Sequence, residues 1–309
     1  MITVFGSANW DLFFPVADLP ARDTALFIPS HHAAPGGKGV NQAIAAKMAG
    51  SDVQFYGAMG DDAFAQNFFK AFQQYGVDAS GVELLSDHQT GIASIFVDHV
   101  DGTHRVVVSL GANLLAREPS VPNNAIGPDS ILVTQGEAPI DETIKLVRRA
   151  KDNGATTMLN FAPANQNLTS SFMRDLDYII LNEYEADAVG QQFQIPSQNK
   201  IDFAKTLSQT FNVHSIITLG PDGAVYAGTD GVMVLPALPI QPVDTIGAGD
   251  ALVGFFASAI ERKIPIKEAL RHGIVAGSLA CTKYGAQTGL PTQDEVLKRV
   301  PEIHVQRLG

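Results

Sequence analysis

Short apolar runs bounded by turn residues recur along most of the chain, and longer segments separate them. Runs of this length are typical of buried strands. We predict strands at Ile2 to Ala8, Val53 to Met59, Ile131 to Gln135, Thr156 to Asn160, Tyr178 to Leu181 and Ser215 to Leu219.

Helical patterns lie between most of these strands. Val40 to Ala49 stops at Gly50, Asp61 can cap a helix that ends at Gly76, and Pro139 to Asn153 stops at Gly154. We predict later helices at Asp250 to Arg262, Ile266 to Tyr284 and Gln293 to Val300. This alternation predicts an α/β fold with a mostly parallel sheet covered by helices on both faces.

Two segments interrupt the alternation, residues 12–34 and 91–110. In the second, Asp101-Gly102 separates two β-rich runs, which is a strong hairpin signal. We expect extra antiparallel strands that form a small β lid beside the main sheet. The whole chain, residues 1–309, is then expected to be one domain with the lid inserted in it.

The composition excludes several kinds of partner. The formal net charge is −11 and the pI is about 5.1, so no basic surface is expected for nucleic acid or an anionic membrane. The uncharged run Ala251 to Ile260 is about half the length that crosses a bilayer, which predicts a buried helix. An unpaired Cys281 and an N-terminus without a basic region predict a cytoplasmic protein.

The first candidate for chemistry is the run Asp244-Thr245-Ile246-Gly247-Ala248-Gly249-Asp250, which leads directly into an apolar helix. Its glycines let backbone N–H groups converge on an anion at the positive helix end. Asp250, in the first turn, is then beside the anion and able to accept a proton. The alternative is that Asp250 only caps a helix after a flexible loop.

Two further polar motifs suit a ligand with hydroxyl groups. Gly36-Gly37-Lys38-Gly39-Val40-Asn41-Gln42 allows a close backbone approach and supplies donors from Lys38 and Asn41, although a tight turn before a helix is equally compatible. In an extended Asn9-Trp10-Asp11, the amide and the carboxylate point to the same side, where paired hydroxyls could bind. Solvation of a loop is the alternative.

Three other positions follow apolar strands. Asn182 and Glu185 have the spacing of a capping box at the start of a helix. The alternative interpretation is that these groups lie near a metal-bound phosphate. Glu137 is an acid at the expected ligand edge of the sheet. The turn from Thr218 through Gly220 to Gly223 either holds a nucleotide or is a plain turn.

In this order and at these separations, the motifs resemble those of the ribokinase-like sugar kinases, also called the PfkB carbohydrate kinases. The resemblance covers essentially the whole chain and includes Gly111-Ala112-Asn113, Asn160-x-Ala162-Pro163-Ala164 and Gly285-Ala286-Gln287. It implies a three-layer α/β/α sandwich with a small β lid that often forms a homodimer contact.

The resemblance also implies roles for individual residues. Asp250 is the expected base, and Gly247, Ala248 and Gly249 form the anion hole. The expected sugar ligands are Asn9, Asp11, Gly37, Lys38, Asn41 and Glu137. The expected ATP contacts are Asn182, Thr218, Gly220, Gly223 and Gly249, with Glu185 organising Mg²⁺ through water. A monovalent cation, K⁺ in this family, would contact Asp244, Ile246, Ala280, Lys283 and Gly285.

Three positions depart from the family pattern: Gly289 replaces a common serine ligand of the cation, Ile274 replaces a polar residue beside adenine, and Trp10 separates the two sugar ligands. The implied activity is transfer of the γ-phosphate of ATP to the primary hydroxyl of a pentose, with D-ribose as the expected acceptor. The alternatives are a nucleoside kinase, a kinase of another sugar such as fructose or deoxyribose, and a non-catalytic sugar-binding protein. A nicotinamide-dependent dehydrogenase is disfavoured because its glycine fingerprint is missing.

Overall fold

The computed structural model describes residues 1–16, 18–98 and 104–308. Its strands are β1 Ile2–Phe5, β2 Asn9–Val16, β3 His32–Gly36, β4 Val53–Gly60, β5 Asp78–Leu85, β6 Gly91–Asp98, β7 His104–Ser109, β8 Ile131–Gln135, β9 Thr156–Asn160, β10 Tyr178–Asn182, β11 His214–Thr218, β12 Ala224–Gly228, β13 Gly231–Leu235 and β14 Gln306–Leu308. Its α-helices are α1 Lys38–Met48, α2 Ala63–Tyr75, α3 Ile140–Asp152, α4 Ser170–Asp175, α5 Glu183–Phe193, α6 Lys200–Phe211, α7 Ala248–Glu261, α8 Ile266–Ala280 and α9 Gln293–Arg299.

The main sheet has ten strands in the order β14-β13-β12-β11-β10-β9-β8-β1-β4-β5. The pairs from β11 to β5 are parallel, and those from β11 to β14 are antiparallel. The prediction of an α/β fold with a mostly parallel sheet is confirmed. The antiparallel extension β12 to β14 and the edge strand β5 are absent from the predicted strands.

Hydrophobic side chains alternate across the sheet and fill two separate core layers. Ile2 and Val4 of β1 belong to the layer that includes buried residues of α1, α2, α7 and α8, whereas Phe5 belongs to the layer that includes α3 to α6. Because successive side chains of a strand point to opposite faces, both faces of the sheet must be covered. The molecule is therefore a three-layer α/β/α sandwich.

A second sheet of four strands, in the order β3-β2-β6-β7, lies outside the main sheet. We call it the small sheet. The first predicted strand is too long, because β1 ends at Phe5 and the chain enters the small sheet at Asn9. The expectation of antiparallel strands is wrong for the central pair, since β2 and β6 run parallel. The predicted turn at Asp101-Gly102 lies outside the described residues.

Helix ends agree with their capping chemistry. Asp62, and not Asp61 as predicted, caps α2 by accepting hydrogen bonds from the N–H groups of Phe64 and Ala65. Helix α8 ends at Ala280, before the predicted end at Tyr284. In the described part of the chain, no helix is long and apolar enough to cross a membrane.

Candidate active site

The start of α7 brings the predicted base into contact with α1. Asp250 lies in the first turn of α7 and is buried. Its Oδ2 accepts a hydrogen bond from Asn41 Nδ2 at 3.1 Å, and its Oδ1 accepts one from Gln42 Nε2 at 2.9 Å. Burial raises the pKa of Asp250, and the Lys38 charge and these two amide donors oppose that rise. A carboxylate with a raised pKa is suited to accept a proton near neutral pH.

The loop before Asp250 has the backbone expected of an anion site. Gly247 is the N-cap of α7 with φ +81°, and a Cβ there would lie 2.8 Å from Ala286 Cα. Gly249 is exposed, and no atom lies within 4 Å of where its Cβ would be. Among the described residues, we find no acceptor for the N–H groups of Gly247 and Gly249. Helix starts with free N–H groups bind anions, so this space suits a phosphoryl group.

Ala248 differs from its two glycine neighbours. Its N–H donates to Thr245 O at 3.3 Å, which is a long hydrogen bond. Ala248 is thus partly engaged within the loop, whereas the N–H groups of Gly247 and Gly249 have no acceptor among the described residues.

On the other side of Asp250, the root of the small sheet carries the predicted sugar ligands. Asn9 and Asp11 are both buried on one face of β2, and half-buried Trp10 turns to the other face, where it stacks on Phe64 with 5.2 Å between ring centroids. The Asn9 amide is fixed because its Oδ1 accepts from Asn113 Nδ2 at 2.9 Å.

Glu137 connects the sugar side to the start of α1. Its Oε2 accepts hydrogen bonds from the Lys38 backbone N–H at 3.2 Å, from Asn9 Nδ2 at 3.4 Å and from Ser7 Oγ. For its Oε1 we find no partner among the described residues, so that oxygen is available to a ligand hydroxyl. Gly37 precedes α1 with φ +87°, and a Cβ there would lie 2.6 Å from the Asn9 N atom, so this close approach requires glycine.

One ammonium group lies among four carboxylates. Burial alone would lower the pKa of Lys38, but Asp250, Glu137, Glu185 and Asp11 raise it above its ordinary value. Burial, Glu137 and Asp250 raise the pKa of Asp11 to about 8. The site thus has an excess of negative charge, which disfavours an anionic ligand unless a cation accompanies it.

The comparisons with known proteins agree on the type of enzyme. The model of the pfkB family carbohydrate kinases matches residues 1–293. The chain belongs to this family. It is 31% identical over 299 residues to the ribokinase of Haemophilus influenzae, a match that covers 96% of this chain and 97% of that protein.

Two further matches show the range of the family around this kinase. A deoxyribokinase of Salmonella typhimurium is 27% identical over 297 residues, covering 95% of this chain and 96% of that one. The crystal structure of a ribokinase from Thermotoga maritima superposes with a TM-score of 0.88 at 27% identity, covering 97% of this chain and 99% of that chain. The chain is therefore an ATP-dependent sugar kinase, and its relatives differ in the sugar.

Of the five predicted nucleotide contacts of this kinase, Gly249 lies at the start of α7 and the other four lie at the carboxyl ends of β10 and β11. Asn182 and Thr218 are register partners, and the turn from Gly220 to Gly223 follows directly. Glu185 is buried, and its Oε2 accepts from the Asn182 N–H at 2.8 Å while Asn182 Oδ1 accepts from the Glu185 N–H at 2.9 Å. The capping box is therefore present.

The environment of Glu185 bears on the predicted Mg²⁺ site. Burial raises the pKa of Glu185, the Asn182 N–H and the Lys38 charge lower it, and Asp250 raises it. In residues 1–16, 18–98 and 104–308 no group of three His, Cys, Asp or Glu side chains could hold a metal by itself. A single carboxylate fits Mg²⁺, because that ion is usually bound by one or two carboxylates together with substrate phosphates and water.

Three of the five predicted cation residues, Ala280, Lys283 and Gly285, direct backbone carbonyls toward the position of Gly289. A Cβ at this position would lie 2.7 Å from Gly285 O, 3.0 Å from Ala280 O and 3.4 Å from Lys283 O. Converging carbonyl oxygens are the ligands that K⁺ takes in proteins, so the donor set fits. The Lys283 ammonium forms an ion pair with Glu295 of α9, with 3.4 Å between Nζ and Oε1.

Asp244 fixes the same loop. Its Oδ1 accepts from the Ile246 N–H at 3.0 Å, and its Oδ2 accepts from the Gly285 N–H at 2.9 Å. The Asp244 side chain thus joins the segment before α7 to the turn after α8.

Several side-chain amides in the site, four of them buried and Gln287 half-buried, are missing from the residues to which a role was assigned. These are Gln42, Asn113, Gln135, Asn160 and Gln287. Gln287 Nε2 donates to Asn41 Oδ1 at 3.2 Å, so it holds the second amide that contacts Asp250. Four of them stand in the motifs quoted above, and Gln135 ends a predicted strand. The signal in the sequence was a polar amide side chain within a quoted motif or at the carboxyl end of a predicted strand.

Proposed function

We propose that this kinase transfers the γ-phosphate of ATP to the primary hydroxyl of D-ribose, giving D-ribose 5-phosphate. The observation that carries the proposal is the position of Asp250, which lies between the open N–H groups at the start of α7 and the polar side chains of β2 and α1. A hydroxyl placed there contacts a base on one side and faces a phosphoryl site on the other.

The proposed step needs positioning and charge stabilisation more than covalent catalysis. Asp250 takes the proton of the sugar hydroxyl as its oxygen forms a bond to the γ-phosphorus, and the bond from that phosphorus to the oxygen of the ADP leaving group breaks. The N–H groups of Gly247 and Gly249 donate to the phosphoryl oxygens. Glu185, through water, would help the ATP phosphates to hold Mg²⁺, and that ion would supply the positive charge that the carboxylate-rich site lacks.

The sugar would be held by groups that are already oriented by at least one hydrogen bond each. Asn9 is oriented by Asn113, Asn41 by Gln287, and Glu137 by the Lys38 N–H. Such preorganised donors and acceptors lower the entropic cost of binding a polyol. Asp11, protonated near neutral pH, is able to donate a hydrogen bond to a sugar oxygen as well as accept one.

A second candidate acceptor is a nucleoside or another larger sugar. A cavity of about 350 Å³ adjoins Asp11 and Gln287 and continues between Trp10 and the α2 residues Lys70 and Gln74. Asp11 lines the cavity and Asp250 does not, which favours a position next to the end of the sugar that does not react. A substituent on that end of a ribosyl compound has room there.

The small sheet is proposed to close over the sugar. Residues 12–34 and 91–110 contribute its strands beyond the ligand-bearing root of β2. Ile95 is buried on the same face of β6 as Ala93, and we propose it as the apolar cover of the sugar. Closure excludes water, which would otherwise compete as phosphoryl acceptor.

A homodimer through the small sheet is also proposed. Val106, Val107 and Val108 are exposed on β7, and β7 is an edge strand of this sheet. Exposed apolar residues on an edge strand favour association with another chain.

The acceptor assignment is tested by ADP formation from MgATP with D-ribose, deoxyribose, fructose, adenosine, inosine and cytidine. Ribose should have the highest kcat/KM, and phosphorus NMR should identify the 5-phosphate. A nucleoside with a higher kcat/KM than ribose would replace the first candidate with the second.

A further inference from the structure

A buried row of side-chain amides leads from the sheet to Asp250. Gln135 and Asn160 are register partners at the carboxyl ends of β8 and β9, and Gln42 reaches them from α1. Gln42 Nε2 donates both to Asp250 Oδ1 and to Asn160 Oδ1, each at 2.9 Å. Gln42 Oε1 accepts from Gln135 Nε2 at 2.8 Å.

The direction of these hydrogen bonds is fixed by a backbone carbonyl. Asn160 Nδ2 donates to Ile180 O at 3.1 Å, so Asn160 must present its oxygen to Gln42. Gln42 therefore turns its NH₂ group toward Asn160 and Asp250 and its oxygen toward Gln135. If the Gln42 amide were flipped, its oxygen would face Asp250 Oδ1 and Asn160 Oδ1, which are themselves acceptors.

Gln135 has an energetic cost that its own contacts do not offset. Its side chain is fully buried, and within the described residues its Oε1 has no hydrogen-bond partner. The same oxygen fills the space where Gly6 lacks a Cβ. A buried unsatisfied acceptor is destabilising, so the hydrogen bond that Gln135 Nε2 donates to Gln42 Oε1 is the interaction that accounts for a glutamine at this place.

We propose that Gln135 is a positioning residue for phosphoryl transfer, which holds the Gln42 amide in the one orientation that supports Asp250. The proposal rests on the proposed role of Asp250 as the base. Gln135 contacts neither substrate in this arrangement, and its whole effect passes through Gln42.

The test uses Gln135→Met, which keeps an unbranched side chain of similar size and removes both polar atoms. The variant removes the unsatisfied Gln135 oxygen but leaves Gln42 Oε1 without its donor, so its thermal stability should stay close to that of the parent. Its kcat should fall about three- to tenfold, the effect expected for loss of one hydrogen bond, while both KM values stay unchanged. Ser215→Ala, which removes a buried hydroxyl bonded to Ala204 O, is the matched control for a purely structural loss.

A double-mutant cycle with Gln42→Leu distinguishes a positioning role from a general effect. If Gln135 acts through Gln42, the second substitution should lower kcat no further in the Gln42→Leu background. Additive losses, or an unchanged kcat in Gln135→Met, would overturn the proposal. Asp250→Asn is measured alongside: full activity in that variant overturns the proposed base itself, whereas its inactivity together with an unaffected Gln135→Met overturns only the positioning role.

Discussion

Replacing Asp250 by asparagine tests the proposed mechanism at the reacting hydroxyl. The substitution keeps the volume of the side chain and removes the proton acceptor. In the structure both carboxylate oxygens accept hydrogen bonds, from Asn41 Nδ2 and Gln42 Nε2. An asparagine offers one oxygen and one NH₂ group, so one of these two donors must lose its partner.

Two magnitudes follow from this geometry. Loss of a general base typically lowers the rate about 10²- to 10⁴-fold, which is about 2.7 to 5.5 kcal/mol in the activation free energy. Loss of one hydrogen bond to a charged group costs about 1.5 to 3 kcal/mol of stability, and removal of a buried charge offsets part of that cost. The hydrogen bond from Gln42 to residue 250 should survive in the variant, because Asn160 and Gln135 fix the Gln42 amide. The hydrogen bond from Asn41 should be the one that is lost, because besides Asp250 the Asn41 side chain is bonded only to Gln287 among the described residues.

The assay is ADP release at saturating MgATP and sugar, with thermal unfolding and sugar binding measured on the same preparation. We expect a folded variant that binds sugar, with kcat reduced at least 100-fold and a melting temperature lowered by a few degrees. A well-folded variant with near-normal kcat would refute the assignment of Asp250 as the base.

Five other outcomes are expected. Asn9→Ala should raise the sugar KM and leave the ATP KM unchanged; a loss of ATP affinity alone would mean that the two substrate sites are exchanged. Burial and neighbouring carboxylates raise the Asp11 pKa to about 8 from 3.8, so the folded protein should lose stability as pH rises from about 4 to 8. The melting temperature should therefore be lower at pH 8 than at pH 5, and Asp11→Asn should lack this decrease. Equal melting temperatures of the parent at the two pH values would contradict the prediction. Gly249→Ala should keep the melting temperature but impair turnover. Gly247→Ala should lower both, because the Cβ at residue 247 meets the loop at Ala286. Equal turnover in Gly249→Ala and the parent would place the phosphoryl group elsewhere. At equal ionic strength, rates in potassium chloride should exceed those in sodium or tetramethylammonium chloride, and equal rates would leave the carbonyl loop purely structural. Sugar should also increase the hydrogen-exchange protection of the small sheet, and unchanged protection would argue against closure.

Local patterns in the sequence determined the features that depend on neighbouring residues. The period of the apolar positions predicted the parallel strands and most helices, because side-chain direction repeats every two residues in a strand and every 3.6 in a helix. The spacing of Asn182 and Glu185 predicted a capping box, which the structure contains. The shared side of Asn9 and Asp11 also followed from an extended backbone alone.

Tertiary structure decided the features that join distant parts of the chain. Gln42 and Asp250 are 208 positions apart, and no local pattern indicates that they share a hydrogen bond. The parallel pairing of β2 with β6 was equally hidden, because the alternation of a strand predicts which face is buried but not which strand lies beside it. The arrangement of the buried amides depends on one backbone carbonyl, that of Ile180, which is why the role proposed for Gln135 emerged only from the folded chain.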